Sequence, residues 1–202
     1  MKRIALMTAV LFAVSAAGFA RAEVRTGSQE LGIHVGALLG DDLTDSVVSG
    51  AQPELGTGFV IGTNYTYNLS QHVGVEGRYT FNPNDAEDGP TGDIDMDLHL
   101  FDINAVYHFN PRAPVVYYGT AGIGWAFGDL DRRITGTAGG TPVAIDDDDG
   151  FTFNLGLGLK WEAIRHVFLR LDARYRYIDQ FVDTRDDPLN TVEITAGPAW
   201  VF

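Results

Sequence analysis

A chain of 202 residues, 45% hydrophobic and 20% charged, suits one compact domain, and its single long apolar run lies at the very start, which excludes a helical membrane bundle. The formal charge of −13 argues against nucleic acid as a partner. With no cysteine in the sequence, neither a disulfide nor a lipid-modified amino terminus is expected.

Lys2 and Arg3 precede the apolar stretch Ile4 to Val14, small residues follow, and Ala20-Arg21-Ala22 makes an A-x-A cleavage site. Residues 1–22 therefore read as a secretory signal peptide, too short to be an anchor. The mature chain is expected to begin near Glu23, with residues 23–28 as a short periplasmic lead and 29–202 as the folded domain. Losing the three positive charges of Lys2, Arg3 and Arg21 takes the net charge from −13 to −16.

From Leu31 the apolar residues recur every second position, the period of a strand with two different surroundings. Leu31, Ile33, Val35, Ala37 and Leu39 alternate with Gly32, His34, Gly36 and Leu38. After an acidic loop, Gly40 to Leu55, Phe59 to Tyr67 make a second strand, and Val73 to Phe81 run back after the tight connection Asn68 to His72. A second acidic stretch, Asn82 to Asp97, reads as a loop, and Phe101, Ile103, Ala105, Tyr107 and Phe109 form the fourth strand, with a phase slip near Leu100 that suggests a bulge. Asn110 to Pro114 turn the chain into Tyr117 to Phe127, and Gly128 to Gly150 is the longest loop. Phe151, Phe153, Leu155, Leu157, Leu159 and Trp161 make the most apolar strand face. The turn Glu162 to His166 leads into Val167 to Tyr177, and a last long connection, Asp179 to Asn190, into the closing strand Thr191 to Phe202.

Eight strands joined alternately by short and long links predict an all-β fold: an eight-stranded antiparallel up-and-down transmembrane β-barrel with both termini periplasmic and the long loops outside the cell. In hydrocarbon every backbone donor and acceptor needs a partner, so the last strand must pair with the first. Aromatic residues supply an independent check, since membrane barrels carry a girdle at each interface. Phe59, Tyr79, Phe81, Trp125, Phe127, Phe151, Tyr175 and Tyr177 fall at the long-loop ends; Tyr67, Tyr107, Phe109, Tyr117, Trp161, Trp200 and Phe202 fall at the short-turn ends. A water-soluble barrel would invert the alternation, and the arginines on the other face, in register with glycines, decide against it.

The closing Pro198-Ala199-Trp200-Val201-Phe202, the glycine-alternating Ala121 to Trp125 and Leu155 to Leu159, and Arg174-Tyr175-Arg176-Tyr177 resemble the OmpA-, OmpX- and opacity-like group of small outer-membrane barrels, over about residues 29 to 202. The resemblance implies residence in a Gram-negative outer membrane among phospholipid and lipopolysaccharide. It also implies that Trp200 and Phe202 form the signal read by the outer-membrane assembly machinery. The chain ends on its last strand, so the peptidoglycan-binding domain of full-length OmpA-type proteins is not expected.

Eight strands enclose an interior only wide enough for side chains. The inward positions carry Glu76, Asp102, Asp172 and Glu193 against Arg78, Lys160, Arg170, Arg174 and Arg176, a nearly balanced set. Two readings follow: a charge network filling the lumen, which this balance favours, or a narrow small-solute or ion channel lined by it. Arg176 and Glu193 flank one loop and should be neighbours.

The loops hold 20 of the 27 carboxylates, opposed by Arg132, Arg133 and Arg185. They read as a solvated outer surface, or as a site for divalent cations or an extracellular ligand. Asp146, Asp147, Asp148 and Asp149 are Ca²⁺-like in ligand type but lack the later Glu of an EF-hand, so no metal site and no cofactor is assigned. Serines are few, and His72 near Ser70 sits in a periplasmic turn, so no catalytic role is expected.

Overall fold

The structure, a computed structural model, describes residues 23–39, 54–55, 58–87, 94–130, 134–138, 141–145, 148–179 and 189–202. The signal-peptide reading of residues 1–22 and most of the acidic loop positions lie outside the described residues.

Eight long strands alternate in direction: β1 Gln29–Leu39, β2 Gly58–Asn68, β3 Val73–Glu87, β4 Ile94–His108, β5 Val115–Leu130, β6 Asp148–Ile164, β7 Val167–Asp179 and β8 Leu189–Val201. Each pairs antiparallel with its sequence neighbours, and β1 pairs with β8, placing Leu31 opposite Trp200 and Val35 opposite Ala196. The sheet thus closes on itself, which is how a strand-built protein satisfies its backbone in hydrocarbon. The two-residue strand Glu54–Leu55 extends the pairing of β3, and Ile134–Ala138 pairs with Thr141–Ile145 as a hairpin in the longest loop.

The period of two sorts side chains between wall and lumen as a membrane barrel requires. Leu157 and Ile103 are 68% and 67% exposed on the wall, whereas Arg174 and Arg176 are 1% and 0% exposed inside. A water-soluble barrel would have the opposite arrangement. Aromatic side chains of both belts stand outward: Phe59, Trp125, Phe127, Phe151 and Tyr175 at the long-loop end, Tyr67, Tyr107, Phe109, Tyr117, Trp200 and Phe202 at the short-turn end.

Three sequence expectations are corrected. The stretch Asn82 to Asp97 is mostly ladder: β3 and β4 remain paired from Phe81 opposite His99 out to Ala86 opposite Ile94. Acidic composition and Pro83 suggested a loop, but beyond the hydrocarbon a ladder needs no apolar face to persist. Likewise β5 and β6 stay paired as far as Gly128 opposite Asp148, inside the span read as the longest loop. The bulge expected near Leu100 is absent, because Leu100 lies in unbroken register opposite Thr80 and Ala126, and Leu98 and Leu100 simply face inward. The register shift falls instead between Val167 and Phe168, beside a two-residue turn in which His166 adopts φ 68°.

Candidate functional site

The lumen is the part of the molecule where charged groups converge, and it is layered along the axis. At the short-turn end the lead folds back across the opening. The Val24 amide donates to the Pro111 carbonyl at 3.0 Å, and the Val24 side chain is buried with Val116, Phe168, Ala199 and Val201. Gly27, at φ 80°, provides the left-handed bend that returns the chain to β1, where its amide reaches the Asn68 carbonyl at 2.7 Å.

Immediately inside this apolar layer, Lys160 Nζ lies 2.5 Å from Glu30 Oε1, and Asn68 donates to the same oxygen at 2.8 Å. Lys160 Nζ is 5.4 Å from the centre of the Phe168 ring. Next along the axis is a cluster around Glu76: Arg170 Nη2 at 2.9 Å from Oε2, and Arg174 Nη2 at 2.6 Å from Oε1. The Thr66 hydroxyl donates to Glu76 at 3.1 Å and Asn104 at 3.3 Å. Asp172 accepts from the Tyr118 hydroxyl at 2.8 Å and lies 3.4 Å from Arg170 and 3.5 Å from Arg174. Arg170 in turn donates through Nε to the Tyr118 oxygen at 3.1 Å.

Towards the long-loop end a third cluster forms. Arg176 Nη2 pairs with Asp102 Oδ2 at 2.5 Å and its Nη1 with Glu193 Oε2 at 3.3 Å, while Arg78 pairs with the other oxygen of Glu193. Arg78 also donates to the Thr195 hydroxyl at 3.0 Å, and Asn154 to Asp102 at 3.2 Å. Leu38, Val60, Leu98, Leu100, Ala126 and Ile178 are buried beyond it as a second apolar layer.

All nine inward charges named from the sequence therefore lie in these three clusters, and Arg176 touches Glu193 although the register sets Arg174 directly opposite that residue. The sequence reading missed Glu30, because it began the first strand at Leu31. Glu30 is in phase with Gly32 and His34, and five cations against four anions was itself a sign of an absent partner. It also missed Val24, which belongs to no periodic segment, and the bridging role of the Tyr118 hydroxyl. His34 shares a hydrogen bond with Thr80 at 3.1 Å, and His108 packs at 6.0 Å against the Tyr118 ring.

Among the described residues five buried anions meet five buried cations, so the charges of the lumen balance and none of them faces the low-dielectric wall alone. The pairing is not saturated. Among the described residues, Arg78 Nε and Nη1, Arg174 Nε and Nη1 and Arg176 Nε have no protein partner.

Elsewhere, Asp149 accepts from the Trp125 indole at 2.7 Å; Asp148 opens β6; Asp146 and Asp147 lie outside the described residues. The Ser70 hydroxyl accepts the His72 and Val73 amides at 3.2 and 3.0 Å, closing its turn. Trp200 and Phe202 stand on the wall at the short-turn end, where Phe202 exchanges backbone hydrogen bonds of 2.9 and 3.0 Å with Gln29.

A closed antiparallel barrel with an apolar wall, two aromatic belts and an ionic interior is an integral membrane β-barrel. Residues 6–202 match the family model described as the outer membrane protein beta-barrel domain, and the chain belongs to that family, whose place is the bacterial outer membrane. No curated protein sequence matches the chain. Among solved structures it is similar to Neisserial surface protein A, at 20% identity and TM-score 0.60 over 88% of this chain and 98% of that one. It is similar also to OprG of Pseudomonas aeruginosa, at 14% identity and TM-score 0.55 over 91% and 99%. A third is AlkL, solved in lipid bilayers, at 16% identity and TM-score 0.55 over 90% and 92%. At these identities the likeness is one of fold.

Proposed function

We propose that this barrel is a non-conducting scaffold of the outer membrane that presents its acidic loops outside the cell, with the short turns and both termini in the periplasm. Its role is structural or interactive and not catalytic. One observation carries the reading: the lumen is occupied along its length by the Glu30–Lys160 pair, the Glu76 cluster and the Glu193 cluster, and is covered at each mouth by buried apolar side chains. An eight-stranded barrel has no spare width once its interior is filled. The long-loop end of the barrel, strand ends and loops together, carries 20 of the chain's 27 carboxylates and is then the surface available to a basic or cation-bridged ligand, and outer-membrane lipid, lipopolysaccharide and the assembly machinery are the remaining partners. The name of the Neisserial relative, a surface protein, is in keeping with such a role.

A narrow anion path is the second reading, favoured by the guanidinium nitrogens of Arg78, Arg174 and Arg176 that lack a protein partner. Planar-bilayer recording separates the two. The purified barrel is expected to give no steady conductance, and cells expressing it without its long loops to lose surface binding with permeability unchanged. Steady anion-selective openings that change with Arg174→Gln would establish the channel instead.

A further inference from the structure

From the start of β1 at Gln29 the lead runs back to the turn between β4 and β5, where the Val24 amide meets the Pro111 carbonyl. In the closed ring β1 and β5 are diametrically opposed, with β2 to β4 between them one way and β6 to β8 the other. The lead is therefore a strap laid across the short-turn mouth. Within it only Val24 is buried; Glu23, Arg25 and Thr26 are exposed. The Val24 side chain lies among Val116 of β5, Phe168 of β7 and Ala199 and Val201 of β8, which together come from three strands of the ring.

The strap has a hinge and a latch. At the hinge Gly27 holds φ 80° in open space, with nothing within 4 Å of where a Cβ would stand. The bend beside it is pinned to the end of β2 by the Gly27 amide on Asn68 and by the Asn68 amide on the Ser28 carbonyl at 3.0 Å, and the Ser28 hydroxyl closes it on the Arg25 carbonyl at 2.7 Å. The latch is one backbone hydrogen bond and one valine side chain. Burial of a single valine favours closed over open by roughly 10- to 100-fold. A bias of that size belongs to local opening, so the strap can swing out while the barrel stays folded.

What the latch covers is the first ion pair of the lumen. The Phe168 ring that touches the Val24 layer on one side has Lys160 Nζ 5.4 Å from its centre, and Lys160 is held by Glu30. Glu30 Oε2 has no protein partner among the described residues, so water reaching this layer finds an acceptor ready for it. On the outer side a rim pocket of about 160 Å³ is bounded by Glu23, Arg25, Glu162 and His166 and floored by Phe168 and Val201, two members of the latch cluster itself. The seal is thus one side-chain layer thick. We propose that the lead is a hinged strap that gates the short-turn mouth: latched, it keeps water and small ions off the Lys160–Glu30 pair, and swung out about Gly27 it admits them. That this mouth faces the periplasm rests on the orientation given under the proposed function; the gate itself does not.

The chain has no cysteine, so single introduced thiols report access to the layer beneath the strap. Ala199→Cys and Val116→Cys place one on either side of the latch, and Arg112→Cys in an exposed turn serves as the reference. The full mature chain, folded in detergent micelles, is treated with a trimethylammonium-bearing methanethiosulfonate. Thiols at 199 and 116 are expected to react roughly 10- to 100-fold more slowly than the one at 112. Val24→Asp should remove most of that protection while gel mobility still shows a folded barrel. Gly27→Val, which opposes the left-handed bend and leaves Val24 in place, should raise both rates as well. Rates at 199 and 116 that match the reference in the otherwise unaltered chain, or that stay slow in both the Val24 and the Gly27 variants, overturn the proposal. Planar-bilayer recording of Val24→Asp separates the gate from the scaffold reading. Fast labelling without current leaves the ionic clusters as the barrier to conduction, whereas fast labelling with steady current supports the gate and refutes the non-conducting scaffold.

Discussion

Glu30 illustrates how much one lumen carboxylate supports. Its side chain and that of Lys160 are 1% and 2% exposed, and among the described residues the ammonium has no other acid within ion-pair distance. Replacing it by Gln leaves a buried cation without its counter-charge, a loss of about 3–5 kcal/mol, whereas replacing both residues by Met leaves neither charge and restores most of it. Urea unfolding of the barrel from lipid vesicles measures this, and equal losses in the single and double variants would refute the account. At the other kind of special position, His166 holds φ 68° in a two-residue turn, a conformation that an L side chain adopts at a cost. His166→Gly is expected to stabilise the barrel by about 0.5–1 kcal/mol in the same assay, and a destabilised variant would show that the ring contributes more than its backbone costs.

For the strands, a period of two was sufficient to divide wall from lumen, because hydrocarbon outside and ions inside impose opposite demands on successive residues of β1 to β8. It could not mark where strands stop beyond the membrane, which is why β3, β4, β5 and β6 run further than the residues between Phe81 and Phe101, or Phe127 and Phe151, suggested. Nor could it reveal that the lead is part of the lumen: Val24 is held by a turn at Arg25 to Ser28 and by the Pro111 carbonyl, contacts with no sequence period. Pairing partners were equally out of reach, since Arg78 meets Glu193 and Arg174 meets Glu76 across the lumen. The seam between β1 and β8 depends on glycine for space. A Cβ at Gly197 would lie 1.9 Å from the Ile33 carbonyl oxygen, and one at Gly36 the same distance from that of Ile194. Gly197→Ala is accordingly expected to destabilise by about 2–3 kcal/mol in urea, against little change for Gly77→Ala, where nothing lies within 4 Å of the added methyl. Similar midpoints for the two would show that the seam has room to give.

Over the whole molecule the charges are segregated along the axis. The lumen is balanced, the long-loop end holds acid almost alone, and Arg25, Arg112 and Arg165 stand with Glu23 and Glu162 at the short-turn end. The fold is therefore electrically polar from one mouth to the other, although no single strand is. Its closure has a different consequence. Gln29 and Phe202 exchange their two backbone bonds only when the opposite ends of the barrel sequence meet, so β1, paired with β2 on one side, stays a ribbon with its other edge open until β8 has been made and delivered. During that interval the ribbon is an adhesive edge able to join a neighbouring polypeptide, and the long-range meeting is the slow event of assembly. A holdase that shields β1 in transit, or a template that lends it a temporary neighbour, is the kind of helper this architecture demands.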